Sequence, residues 1–253
     1  MSSISAYCKV AIAPVREDAK DSSEMVTQLL FGEMVDVMEE QEKWWKIRTY
    51  QDNYIGWVDP KQLRKLSKKE AGRWLDGLSY QRNLITELIT PWGKQLIVKG
   101  SFVPFHVKDS FSIGNDEYFL AGEPDEKVGG NPVAIALEYL NAPYLWGGKT
   151  PFGIDCSGLT QQVFRFLEIN LPRDASQQVE YGTSIDFEER LPGDVLFFSN
   201  ENGKVIHVGI IKDDNEIIHA SGQVRIDRYD QKGILHYSGE YYTHSFSAIK
   251  RMI

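Results

Sequence analysis

Cysteine is scarce in this chain: Cys8 and Cys156 are the only two among 253 residues. Two cysteines cannot build a disulfide framework. No apolar run reaches the roughly 18 residues that a membrane-crossing helix needs. No polybasic run is present, and 36 acidic residues outnumber 28 basic ones, for a net charge of −8. That balance argues against nucleic acid and against an anionic membrane as partners. The opening residues, Met1 to Cys8, lack a basic stretch followed by a long apolar one, which is the pattern of a secretory signal. The expectation from that start is a cytoplasmic protein, or else one whose signal has been removed. What the chain does have is 42% hydrophobic residues, enough core for one large domain or two to three small ones.

The most informative stretch runs from Tyr144 to Leu159 and sets Cys156 between a glycine- and proline-rich loop and a run with helical spacing. Leu159, Val163, Phe166 and Leu167 follow the cysteine at three- and four-residue intervals. Asp155 is a good N-cap residue. Cys156 is therefore expected in the first turn of a helix, at the positive end of the macrodipole, where the thiolate is favoured. A nucleophile also needs a base, and a group to orient that base.

Two downstream segments, Val205 to Ile211 and Glu216 to Ser221, read as strands of a hairpin around the polar run Asp213 to Asn215. A three-residue loop there puts His207 and His219 on the same sheet face. Cys156 as nucleophile, His207 as general base and His219 as orienter make a thiol version of the nucleophile–base–orienter arrangement. The backbone N–H of Cys156, with Tyr144 beside it, is expected to hold the oxyanion. Zinc is the competing use of these three side chains. No C-x-x-C or H-x-x-x-H spacing accompanies them, so no metal is expected. Cys8, His106, His236 and His244 have no motif around them and are read as structural.

These residues resemble the NlpC/P60 family of cysteine peptidases. The resemblance is carried by six motifs: Pro143 to Gly148, Gly153 to Leu159, Pro172 to Gln177, Leu191 to Phe198, His207 to Ile211, and Ile218 to Gly222. It implies an α+β, papain-like catalytic domain, placed here at residues 131–253, with no cofactor. Asn131 and Pro132 open its first helix, whose apolar face is read as Val133, Ala136, Leu137 and Leu140. Residues 1–65 read as many short strands, with Ala13 to Arg16 breaking the first run, and suggest a small β-barrel. Their order of Pro-Val-Arg, Leu-Phe-Gly-Glu, Trp-Trp-Lys-Ile and Tyr-Ile-Gly-Trp-Val resembles a bacterial SH3 (SH3b) domain. Residues 66–130 read as a second, degenerate SH3b-like β region with strands near Gln95 to Val98, Phe102 and Tyr118 to Leu120. Ser67 to Glu70 read as a short connector, helical or irregular, and Glu123 to Gly130 as a linker.

The combination resembles the γ-D-glutamyl-L-diamino acid endopeptidases, which act on murein tripeptides or tetrapeptides that begin with a free L-Ala. That likeness implies amine-binding parts for Glu33 and Tyr54 of the SH3b domain. It also implies that Asp155, Ser157, Arg173 and Asp174 line the pocket beside Tyr144. An ammonium calls for carboxylates, which Glu33 and Asp155 could supply. Arg173 suits either a substrate carboxylate or the buttressing of a pocket acid. The function expected is cleavage of free murein peptides during cell-wall recycling, by a monomer. Three other readings stand beside it: a hydrolase of intact peptidoglycan, a non-catalytic wall-binding protein, and an acyltransferase or amidase on a related fold, against which the Arg173-Asp174 motif counts.

Overall fold

The structure, a computed structural model, describes residues 4–104, 110–121 and 130–252. The chain divides into two compact units, Met1–Lys127 and Val128–Ile253. No helix among the described residues is long and apolar enough to cross a membrane.

The first unit begins with seven strands: β1 (Ile4–Cys8), β2 (Ile12–Arg16), β3 (Met25–Leu30), β4 (Met34–Glu40), β5 (Trp45–Thr49), β6 (Ile55–Val58) and β7 (Leu63–Leu66). They form one antiparallel sheet in the order β3-β2-β6-β5-β4-β1-β7. This is the SH3-like β region expected of residues 1–65. Pro14 does not break the first run as expected but lies inside β2, opposite Gln28 of β3. On its other side β2 pairs with β6 only at Arg16, so the missing N–H of Pro14 interrupts no ladder.

Helix α1 (Lys68–Leu75) follows, then β8 (Leu78–Tyr80), β9 (Ile85–Thr90), β10 (Gly93–Val98), β11 (Phe102–Pro104), β12 (Ser110–Ile113) and β13 (Asp116–Ala121). Ser67 and Glu70 close α1 as a capping box: each side chain accepts from the other's backbone N–H, at 3.3 and 2.7 Å. Residues 66–121 belong to the same unit as the first sheet because they share a core with it. Along β1, Ala6 and Cys8 face one cluster with Val15, Leu29, Val35 and Ile47. Tyr7, between them, faces the opposite way into a second cluster with Phe31, Met34, Trp74, Leu88, Phe102 and Tyr118. Strand alternation thus makes β1 a wall common to both clusters. Trp74 ties them further: its indole N–H donates to the Gly32 carbonyl at 2.8 Å and its ring stacks on Phe111. Gly32 has φ +80°, and a Cβ there would lie 2.7 Å from the Phe102 carbonyl, so only glycine fits. The linker read at 123–130 lies outside the described residues except for Gly130, and His106 lies outside them altogether.

The second unit contains α2 (Pro132–Leu137), β14 (Lys149–Thr150), β15 (Gly153–Ile154), α3 (Cys156–Arg165), α4 (Ala175–Gln178) and β16 (Thr183–Ser184). Then come β17 (Val195–Ser199), β18 (Val205–Ile211), β19 (Glu216–Ser221), β20 (Gln223–Asp230), β21 (Gly233–Leu235) and β22 (Tyr242–Arg251). Asn131 caps α2 by accepting the Val133 N–H at 2.9 Å. The buried face of α2 differs from the one expected. Ile135 and Ala136 turn inward, followed by Tyr139, while Leu137 and Leu140 are exposed. The helix is only six residues long and ends before the assumed period could carry Leu140 to the core.

Strands β17 to β22 run in sequence order, and β22 pairs with β17 on one side and β21 on the other, which closes a barrel. Leu196, Phe198, Ile211, Ile217, Tyr229, Ile234 and Ile249 pack as one cluster. Helix α3 packs against β18 and β19. A helix that begins at Cys156, laid on an antiparallel sheet, gives the α+β class.

The shared core of the first unit makes a testable point. Trp74→Ala is expected to cost about 3–5 kcal/mol. Hydrogen exchange should show lost amide protection in β1 and β9 together; a loss confined to β9 would mean that the two sheets are separately stable.

Candidate active site

Cys156 opens α3. Asp155 precedes it with extended backbone, and its Oδ1 accepts the Gly158 N–H at 2.7 Å, the N-cap expected. Two glycines set how close the preceding loop comes. A Cβ on Gly158 would stand 2.3 Å from the Gly148 carbonyl oxygen, and one on Gly148 the same distance from that of Gly153. The backbone N–H groups of Val208 and Ser157 reach the Cys156 sulfur. Cys156 is therefore held beside the residue that follows His207.

Burial is the largest influence on that thiol. It pushes Cys156 up to about 12, and the Asp155 carboxylate adds to the effect. The Val208 N–H, the Arg173 guanidinium and the Ser157 N–H pull the other way without overcoming it. The expectation that the helix N-terminus favours the thiolate is thereby corrected: only 7% of Cys156 is exposed, and desolvation of the anion outweighs the helix end. The resting sulfur is a thiol.

His207 and His219 lie on the same face of the barrel wall. Gly209 stands opposite His219 in the β18–β19 ladder, so His207, two residues along β18, shares its face. Lys212 and Glu216 close the turn, leaving Asp213 to Asn215 as a three-residue loop. The rings meet edge to face, with His207 Nε2 at 2.8 Å from His219 Nδ1. Burial holds His207 well below the usual histidine range, and His219 and His244 push it the same way. His207 is therefore neutral at pH 7.

The chain of contacts runs further than the sequence reading reached. His219 Nε2 lies 2.9 Å from Asp227 Oδ2, and Asp227 Oδ1 accepts from Arg225 at 2.7 Å. His244, read as structural, stacks on His207 with ring centroids 4.1 Å apart. Burial brings His244 down to about 4, helped by His219 and opposed by Asp227. Asp227 was within reach of the alternation rule. The turn at Gly222, with φ +73°, pairs Ser221 with Gln223, which sets Asp227 on the same face as His219. No local signal marks His244; it reaches His207 only because β22 closes the barrel.

The pocket residues expected around the cysteine are placed as follows. Asp155 and Arg173 form a buried two-pronged ion pair, Oδ1 to Nη1 at 2.9 Å and Oδ2 to Nη2 at 2.6 Å. Asp155 Oδ2 also accepts the Gly147 N–H at 2.8 Å. Arg173 donates to Ser157 Oγ at 2.9 Å as well. Asp174 begins α4, where its backbone N–H donates to Gln177 Oε1 at 3.4 Å. Burial raises Tyr144 to about 12, and the Cys156 sulfur and Asp155 push the same way. Its phenol thus stays protonated near the sulfur and can donate to an oxyanion. Glu33 and Tyr54 lie in the first unit. Glu33 is 1% exposed, follows Gly32 in the β3–β4 turn, and accepts the Leu30 N–H at 3.2 Å. Tyr54 begins just before β6, and its N–H donates to Thr49 Oγ1 at 2.8 Å. Among the described residues, no cluster of three or more His, Cys, Asp or Glu side chains is arranged to hold a metal ion.

The sequence and the fold are similar to those of known proteins. A sequence model of the NlpC/P60 family matches residues 141–246, and one of the bacterial dipeptidyl-peptidase Sh3 domain matches residues 15–63. The gamma-D-glutamyl-L-lysine dipeptidyl-peptidase of Bacillus subtilis (strain 168) is 28% identical over 218 residues, covering 77% of this chain and 71% of that protein. A probable endopeptidase of Haemophilus influenzae is 35% identical over 121 residues, covering 44% of this chain and 72% of that protein. The crystal structure of an NlpC/P60 family protein from Bacillus cereus ATCC 10987 has the same fold, with a TM-score of 0.81, 19% identity, and coverage of 98% of this chain and 99% of that one.

Two predictions follow from the site's protonation. Alkylation of Cys156 by iodoacetamide, followed by mass spectrometry, should be slow at pH 7 and climb about tenfold per pH unit towards pH 9. A rate already saturated at pH 6 would mean a resting thiolate. Stability should fall with acid. His207 and His244 resist protonation in the native state, whereas an unfolded histidine titrates near 6.5. Their effect is absent above that pH. It grows as pH falls towards about 4, with a slope of at most about 1.4 kcal/mol per pH unit for each buried ring. His244 contributes less than that limit because its ring is only half-buried. Urea midpoints between pH 7.5 and 4.5 would measure the slope, and His244→Asn should make it shallower.

Proposed function

The chain belongs to the NlpC/P60 family of cysteine peptidases, and on that premise we propose that it hydrolyses the γ-D-glutamyl–L-diamino acid bond of murein peptides with a free N-terminal L-Ala, in the cytoplasmic recycling of cell-wall material. The observation that carries this reading is the extent of the likeness. Similarity to the Bacillus subtilis dipeptidyl-peptidase spans 77% of the chain, so it draws on both units. The Sh3 match at residues 15–63 adds to that likeness outside the catalytic unit.

The chemistry follows from the site. The Cys156 thiol gives its proton to the open nitrogen of His207 as the sulfur attacks the γ-carbonyl carbon of D-Glu. The carbonyl oxygen takes up negative charge, facing the Cys156 N–H and the Tyr144 phenol. His207 returns the proton to the departing α-amine of the diamino acid, leaving a thioester on Cys156. Water, deprotonated by His207, then attacks the thioester. The product acid leaves and Cys156 regains its proton. His219 steadies the His207 imidazolium through each transfer.

The test compares L-Ala-γ-D-Glu-diaminopimelate with its N-acetyl form. The free peptide should release L-Ala-D-Glu, and Cys156→Ala should abolish this by at least about 10⁴-fold. The acetylated peptide should resist cleavage. Equal turnover of both would remove amine recognition and point to an enzyme of the intact wall. Turnover of neither would move the weight to a wall-binding protein.

A further inference from the structure

We propose that Asp227 is a positioning residue that fixes the tautomers of both histidines, so that Nδ1 of His207 carries the lone pair which receives the Cys156 proton. The inference rests on His207 being the base for Cys156. It follows from counting protons along three contacts. An ionised carboxylate only accepts hydrogen bonds. Asp227 Oδ2, at 2.9 Å, therefore requires the proton on Nε2 of His219. When that is the one proton His219 holds, its Nδ1 is bare. The single proton in the 2.8 Å contact between the rings must sit on His207 Nε2. A neutral His207 is left with a bare Nδ1 as its base.

The surroundings favour this assignment. Arg225 donates to the other oxygen of Asp227 at 2.7 Å, which holds the carboxylate in place. Contacts with His219 and Arg225 leave Asp227 below its usual range despite burial. His244 stacks on His207 at 4.1 Å and fixes the plane of the ring. Thr243 Oγ1 lies 2.9 Å from Nδ1 of His244, so this third imidazole is hydrogen-bonded outside the relay. When His207 takes up the thiol proton, the positive charge it gains is felt by Asp227 through His219.

An asparagine at this position tests the idea sharply. Arg225 would still donate to the amide oxygen. The amide NH₂ would then face His219 Nε2 and force that nitrogen to be bare. Each proton in the relay would move across its ring, and His207 would carry hydrogen on Nδ1. Asp227→Asn is therefore expected to lower kcat by up to about 10⁴-fold at pH 7 with KM little changed, by analogy with tautomer reversal in serine proteases. Asp227→Ala, where water can accept from His219, should lose only about tenfold, and Asp227→Glu should recover much of the rate. Thermal midpoints of the three variants identify any that is merely misfolded. Long-range ¹H–¹⁵N spectra of the histidines should show His207 protonated on Nε2 in the wild type and on Nδ1 in Asp227→Asn. These spectra decide the tautomer question even if the wild type cleaves no murein peptide, so failure of the proposed function stays distinct from failure of this inference. Identical tautomers in the two proteins, or equal losses for Asn and Ala, would overturn it.

Discussion

The catalytic unit depends on one buried ion pair, Asp155 with Arg173. Both side chains are almost fully enclosed, at 5% and 1% exposure. Removing two charges from water costs several kcal/mol for each, and attraction compensates only when the geometry is good and the remaining donors and acceptors are satisfied. Here both conditions hold. Two parallel contacts join the groups, and Asp155 accepts from Gly147 and Gly158 while Arg173 donates to Ser157. The pair therefore connects the glycine-rich loop, the start of α3 and the segment that leads into α4. Cys156 is the residue after Asp155, so its position is set by this junction.

That junction limits what Asp155 can do for a substrate. Its Oδ1 takes Gly158, Arg173 and Ser157, and its Oδ2 takes Gly147 and Arg173. A carboxylate has about four lone-pair positions in all. For Asp155 to bind an ammonium, one of these donors would have to leave. The charge of the pair is also largely internal, because the cation beside the carboxylate cancels much of its field. Of the two parts the sequence left open for Arg173, the observed contacts match the buttressing of a neighbouring acid.

Much of this was legible in the sequence because the relevant signals are local. The Asp155 cap, the Ser67 and Glu70 capping box and the Asn131 start each depend on residues within three positions of one another. The parity of His207 and His219 needed only the length of one turn. Features decided by burial or barrel closure leave no such local mark. The thiol state of Cys156 reflects its enclosure, which a helix N-cap does not disclose. The inward face of α2 could not be read from a period, since the helix ends after six residues. Charged residues break the apolar pattern of β20, so the sequence alone marks neither that strand nor Asp227.

The two halves of the site thus form in different ways. The nucleophile half, from Tyr144 to Arg173, is nearly contiguous, and its contacts can form as the loop and α3 meet. The base half draws His207, His219, Asp227 and His244 from four strands. It is complete only when β22 has paired with both β17 and β21. Such long-range pairing must meet the entropy of loop closure before its contacts stabilise it. Burial keeps the Cys156 sulfur protonated in the first half and His207 neutral in the second, so the two halves meet with no charge on either group.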